Sequence, residues 1–134
     1  VVEVFDVPPL GAAMVMVRES LEKISFHSGA SCSVVLASKG YPDSKSEEYL
    51  RSQGLVINGL KNVPLIEGVK VFHSGTKRDK KRTITAGGRI LEVTSYSTLG
   101  IAHAQNLAYQ AVSKISVDGG FHYRTDIANK ALIH

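Results

Sequence analysis

The chain has 134 residues, the size of one domain, and at that length folding buries roughly two thirds of the unfolded surface, so a core without covalent staples is feasible. Apolar residues make up 43% and charged residues 21%, which excludes a disordered composition, and the single cysteine excludes an internal disulfide or zinc cluster and suits a reducing, cytoplasmic setting. The net charge of +4 is concentrated in Lys77, Arg78, Lys80, Lys81 and Arg82, with Asp79 among them, so it marks one segment and not a basic face.

Val1-Val2-Glu3-Val4-Phe5 reads as a strand, without the basic and then hydrophobic pattern of a signal peptide. A chain that opens inside an element looks cut from something longer. Pro8 and Pro9 end that strand. Leu10, Met14, Val17, Leu21 and Ile24 then recur at helical spacing, which predicts a helix over 10–24 with Arg18, Glu19, Glu22 and Lys23 on its wet side. Gly29 closes it. Residues 32–37 predict a short apolar strand in which Cys32 is a buried, inert thiol. Lys39-Gly40-Tyr41-Pro42 is a turn, 43–54 a polar exposed loop with room for one helical turn, and 55–59 a short strand or edge.

From Val69 the pattern becomes a β-meander. Residues 69–73 run into the basic loop 77–82, Thr83 to Ala86 returns, Gly87-Gly88 turns, and Arg89 to Thr94 goes out again. Alternation at Ile84/Ala86 and Ile90/Glu92 predicts half-buried antiparallel strands. Thr98 caps a second helix reaching about Ile115. Ile101, Ala104, Ala108, Ala111 and Ile115 mark its buried side, with Leu99, Ala102 and Val112 alongside. Asp118-Gly119-Gly120 ends it, and Phe121 to Arg124 is a final strand. No apolar run approaches the ~20 residues that cross a bilayer. The fold class is α+β: a small antiparallel meander or partial barrel packed with two main helices.

Gly87-Gly88-Arg89 offers backbone N–H groups free of side chains, beside a guanidinium. That combination binds phosphate or carboxylate through amide dipoles and a forked charge-assisted pair. A plain hairpin turn with a surface arginine explains the same residues. The basic segment 77–82 fits phosphate contacts with nucleic acid or a solvated hairpin tip, and its lack of aromatic residues argues against base stacking. His73, beside Ser74-Gly75-Thr76, is suited to orienting a loop or moving a proton, or to bonding backbone as a structural histidine. The five histidines show no zinc-type spacing, and no nucleotide-phosphate loop or nucleophile elbow is present.

Four runs in order carry a resemblance. They are Val35 to Pro42 (with Ser38-Lys39-Gly40-Tyr41-Pro42), Val69 to Thr76, Thr85 to Thr94 (with Gly87-Gly88-Arg89), and Tyr123-Arg124-Thr125-Asp126-Ile127. Together they resemble the C-terminal domain of phosphoribosylamine–glycine ligase, an ATP-grasp enzyme of purine synthesis, over about residues 32 to 132. The resemblance implies an ATP-dependent ligase that joins glycine to 5-phosphoribosylamine through a glycyl phosphate, with magnesium or manganese, in the cytoplasm. It implies that 32–134 closes the substrate side of the cleft and that 1–31 is a remnant strand and helix of the ATP-grasp core. Gly87, Gly88 and Arg89 would face the phosphoribosyl group, with Lys39 as a further substrate contact.

Departures accompany the match. Phe5 stands where the family has a magnesium-binding asparagine, Asp43 replaces a usual glycine, and Ala128 replaces the glycine after Asp126-Ile127. The nucleotide and metal apparatus is therefore expected in the remaining ATP-grasp domains, with no catalytic residue or bound cofactor in this chain and no activity for it alone. The other readings are the equivalent domain of another ATP-grasp ligase or carboxylase, and a non-catalytic nucleic-acid module using the basic hairpin.

Overall fold

The computed structural model describes residues 18–25 and 27–133. The strand expected over 1–5 and the first part of the helix expected over 10–24 lie outside them. Residues 18–22 are helical, yet Leu21 and Ile24 are exposed and do not form a buried stripe. The inner face of the sheet is already filled by another helix, described below.

Strand β1 (Ala30–Ala37) points Cys32, Val34 and Leu36 inward, and β6 (Arg89–Ser97) does the same with Leu91, Val93 and Ser95. The two pair antiparallel, and β3 (Val69–His73) pairs with the other edge of β6, giving the order β1-β6-β3. Val34, Val93 and Val71 stand opposite one another and form one apolar row across the sheet. From Leu91 onward β6 buries one face, as β1 does, so period-two alternation fixes the register, while Ile90 is buried on the opposite face. Helix α2 (Ile101–Val112) covers that face with Ala104, Ala108 and Ala111, whose small side chains allow close approach. Ser95 bonds the Ala104 carbonyl with its hydroxyl and ties helix to strand.

The rest is short. Helix α1 (Glu47–Arg51) is capped by Ser46, β2 (Ile57–Asn58) pairs with β7 (Ser116–Val117), and a 3-10 turn over Leu60–Leu65 buries Val63. Strands β4 (Thr76–Asp79) and β5 (Arg82–Thr85) form a separate ribbon, and α3 (Asn129–Leu132) ends the described residues. The fold is α+β with antiparallel strands in open sheets.

Three expectations need correction. The meander does not pair strand after strand: β6 lies between β1 and β3, while β4 and β5 pair with each other and β5 is bridged at Ile84 to Val56. Thr98 is not the helix cap. Strand β6 runs on through Ser97, the chain then reverses, and α2 starts after Gly100 at φ 104, leaving Leu99 76% exposed. Ser97 takes the capping-like part by accepting the Leu99 N–H. The final strand over 121–124 shrinks to one bridge, in which Ala37 and His122 exchange both backbone hydrogen bonds at 2.8 Å where β1 shifts register.

Candidate functional site

The site grows out of a break in one antiparallel arm. Pairing of β3 with β6 runs to His73 opposite Leu91, and pairing of β4 with β5 resumes at Thr76 opposite Thr85. The side from 85 to 91 therefore carries three more residues than its partner. Gly75 meets both ends of the excess: its N–H donates to the Arg89 carbonyl (2.7 Å) and its carbonyl accepts from the Ala86 N–H (2.8 Å). Gly87-Gly88 is thus a bulge within a continuous arm and not the hairpin turn expected from the sequence. Glycine is needed there for space. A methyl on Gly75 would lie 2.5 Å from the Arg89 carbonyl oxygen, and one on Gly88 2.5 Å from Cδ2 of Tyr41.

The bulge is anchored at both ends. Thr85, at its start, donates its hydroxyl to the Ser52 carbonyl (2.7 Å) and accepts from the Leu55 N–H (2.9 Å). Near its end, Ser38 donates its backbone N–H to the Gly88 carbonyl and its hydroxyl to the Gly87 carbonyl, both at 2.7 Å. Opposite stands the Lys39–Pro42 turn, whose Tyr41 N–H returns to the Ser38 carbonyl (3.2 Å). Between the two walls opens a cleft of about 450 Å³, lined by Tyr41, Pro42, Ser44 and Tyr49 on one side and by Ser74, Gly75, Gly87, Gly88 and Arg89 on the other.

Three of the four expected site residues, Gly87, Gly88 and Arg89, come together here. Arg89 is exposed, and among the described residues its guanidinium has no hydrogen bond or ion pair, which leaves the fork free for an anion. Lys39 does not join them. Its side chain runs beside Gly120 into a neighbouring hollow with Glu47, Glu48 and Arg51. Sequence reasoning missed Ser38, Tyr41 and Ser74, although the two runs containing them were singled out. Charge drew the choice to Lys39.

The other candidates resolve differently. His73 Nδ1 bonds the Thr76 hydroxyl (2.9 Å) across the bend, not a backbone group. Residues 77–82 are the two strand ends and tip of the β4–β5 ribbon, with Arg82 paired to Asp79 at 3.4 Å. Cys32 is buried, and burial pushes its thiol pKa up, which makes it inert. Tyr123 to Ile127 clasps α2: the Tyr109 hydroxyl donates to the Arg124 carbonyl (2.7 Å) and accepts from the Ile127 N–H (3.1 Å). Burial raises the Tyr109 pKa, and Arg124 holds Asp126 below its ordinary value by direct hydrogen bonding at the surface. Among the described residues no three His, Cys, Asp or Glu side chains converge, and no helix is long and apolar enough to cross a membrane.

A helix-backed antiparallel sheet with a glycine-walled, arginine-edged cleft defines an α+β domain with open antiparallel sheets. The chain belongs to the family described as phosphoribosylglycinamide synthetase, C domain, whose model matches residues 31–130. It is 39% identical over 123 residues to the phosphoribosylamine–glycine ligase of Chlorobaculum tepidum, covering 90% of this chain and 27% of that protein. With the ligase of Halalkalibacterium halodurans the identity is 37% over 130 residues, covering 93% and 28%. A solved structure of phosphoribosylamine–glycine ligase from Thermotoga maritima matches at a TM-score of 0.59 and 25% identity, over 82% of this chain and 26% of that one. The chain spans between a quarter and a third of the length of these curated relatives.

Proposed function

We propose that the cleft holds the phosphate end of 5-phosphoribosylamine for an ATP-dependent ligase that joins the amine to glycine in purine synthesis in the cytoplasm. The observation that carries this reading is the bulge itself. Its carbonyls are turned back to Ser38, its glycines leave the backbone bare, and the Arg89 guanidinium, without an ion pair among the described residues, stands at its edge. Bare amides and a forked cation together suit a dianionic phosphate better than a carboxylate or a neutral group.

In this reading residues 32–134 form the substrate-side domain and 1–31 belong to the adjoining ATP-grasp core. The start of the family match at residue 31 supports that boundary. ATP and magnesium or manganese are assigned in this reading to the remaining ATP-grasp domains of the ligase. This domain therefore contributes binding and orientation. Fixing the amine within reach of an activated carboxylate lowers the barrier through pre-formed geometry.

Arg89→Ala in the full-length ligase tests the reading. Loss of a charge-assisted pair raises the KM for phosphoribosylamine by about tenfold to a hundredfold and leaves the KM for ATP near its wild-type value. An unchanged KM for phosphoribosylamine removes phosphate binding from this cleft.

A further inference from the structure

Two successive glycines give the cleft its bare wall and also create a problem. A peptide flanked by residues without Cβ atoms has little local preference for its orientation, because both neighbouring dihedrals move freely. Gly87-Gly88 is such a peptide, and close approach to Gly75 and Tyr41 prevents larger residues from stiffening it. Something outside the bulge must set which way it faces.

We infer that Ser38 is a positioning residue that fixes the Gly87-Gly88 and Gly88-Arg89 peptides with their N–H groups toward the cleft. Ser38 is 1% exposed and grips two successive carbonyls from one position, Gly88 through its backbone N–H and Gly87 through its hydroxyl. Both peptides are trans, since Tyr41-Pro42 is the cis bond among the described residues. In a trans peptide the N–H points opposite to the C=O. Carbonyls held toward Ser38 therefore turn the Gly88 and Arg89 N–H groups away from it, to the side where Ser74 and Gly75 line the cleft.

The hydroxyl is itself directed. Gln53 donates its side-chain N–H to Ser38 Oγ (3.3 Å) and also reaches the Tyr49 carbonyl (3.2 Å). With an acceptor site of Oγ taken up by Gln53, the hydroxyl proton is aimed at the Gly87 carbonyl. The Ser38 carbonyl meanwhile receives the Tyr41 N–H, so the same residue ties down the aromatic wall opposite. One buried serine thus sets both sides of the opening.

The inference rests on the phosphate reading above, and the experiment separates the two. Ser38→Ala and Ser38→Thr are compared with Arg89→Ala in the full-length ligase, by steady-state KM and kcat for phosphoribosylamine, glycine and ATP. Ser38→Ala is expected to raise the KM for phosphoribosylamine by about tenfold, as loss of one buried hydrogen bond frees the peptide, with kcat and the other two KM values within about twofold. Ser38→Thr keeps the hydroxyl and restores the KM to within about threefold. An unchanged KM in Ser38→Ala overturns the positioning role, as does a rise shared equally by all three substrates, which reports general loosening. A Ser38→Thr enzyme as impaired as Ser38→Ala, with the other two KM values normal, also overturns it, because the hydroxyl is then not the operative group. If Arg89→Ala raises the KM and Ser38→Ala does not, the phosphate reading stands and only the positioning role falls. An Arg89→Ala enzyme with wild-type KM brings down both.

Discussion

The arm built from β3–β4 and β5–β6 has two halves, joined at Gly75, that are stabilised in different ways. Below the joint, β3 and β6 lie against β1 and α2, and Ile90, Leu91, Val93, Ser95 and Ser97 of β6 are buried. Beyond it, β4 and β5 pair with each other, the base of β5 is bridged to residues 54–56, and the ribbon carries Lys77, Arg78, Lys80, Lys81 and Arg82 around a two-residue tip. The first half is held by apolar area removed from water. The second is held by a short backbone ladder, by hydrogen bonds from the base of β5 to residues 52–56, and by one exposed ion pair, which contributes little. The candidate cleft sits where one regime gives way to the other. A site there gains rigidity from the core side and open access from the solvent side.

Substitutions along the arm test that division. Leu91→Ala removes a side chain that is 1% exposed and faces Leu36, so it should cost about 3 kcal/mol in denaturant unfolding of the enzyme that contains the domain. A loss under about 1 kcal/mol would mean that the lower half is not the stabilising core. Gly75→Ala tests the joint. Its new methyl meets backbone atoms on Arg89 and Gly87 that cannot swing aside, and the expected cost is about 2 kcal/mol with weakened phosphoribosylamine binding. A neutral result would show that the halves are not locked there. Lys81→Ala, at the exposed tip, should change stability by less than about 0.5 kcal/mol. A larger loss would break the comparison, because the distal half would then be supporting the fold.

The same division explains what could be read from the sequence. Strands β1, β3 and β6 and the alanine face of α2 were readable, because burial on one side writes a period of two or 3.6 into the chain. The bulge was not. Two glycines signal a turn and a close backbone approach equally well, and the residue that decides between them is Gly75, opposite the bulge and distant in sequence. The start of α2 was misread because Thr98 has the chemistry of a cap while β6 still runs through Ser97 beside it. Within Ser38-Lys39-Gly40-Tyr41-Pro42 the charged residue drew attention. Its neighbour Ser38 acts through a buried hydroxyl whose partners, Gly87 and Gln53, no local pattern reveals.

The β4–β5 ribbon has one more consequence. Its tip, Lys80-Lys81, lies four registered pairs beyond the joint, and Lys80 already adopts a left-handed conformation at φ 52 that glycine or asparagine would accept more easily. The tip is consequently a natural cargo port. An affinity peptide or fluorescent reporter spliced between the two lysines would ride outside the cleft as a passenger, leaving the glycine wall and its serine clamp to work undisturbed.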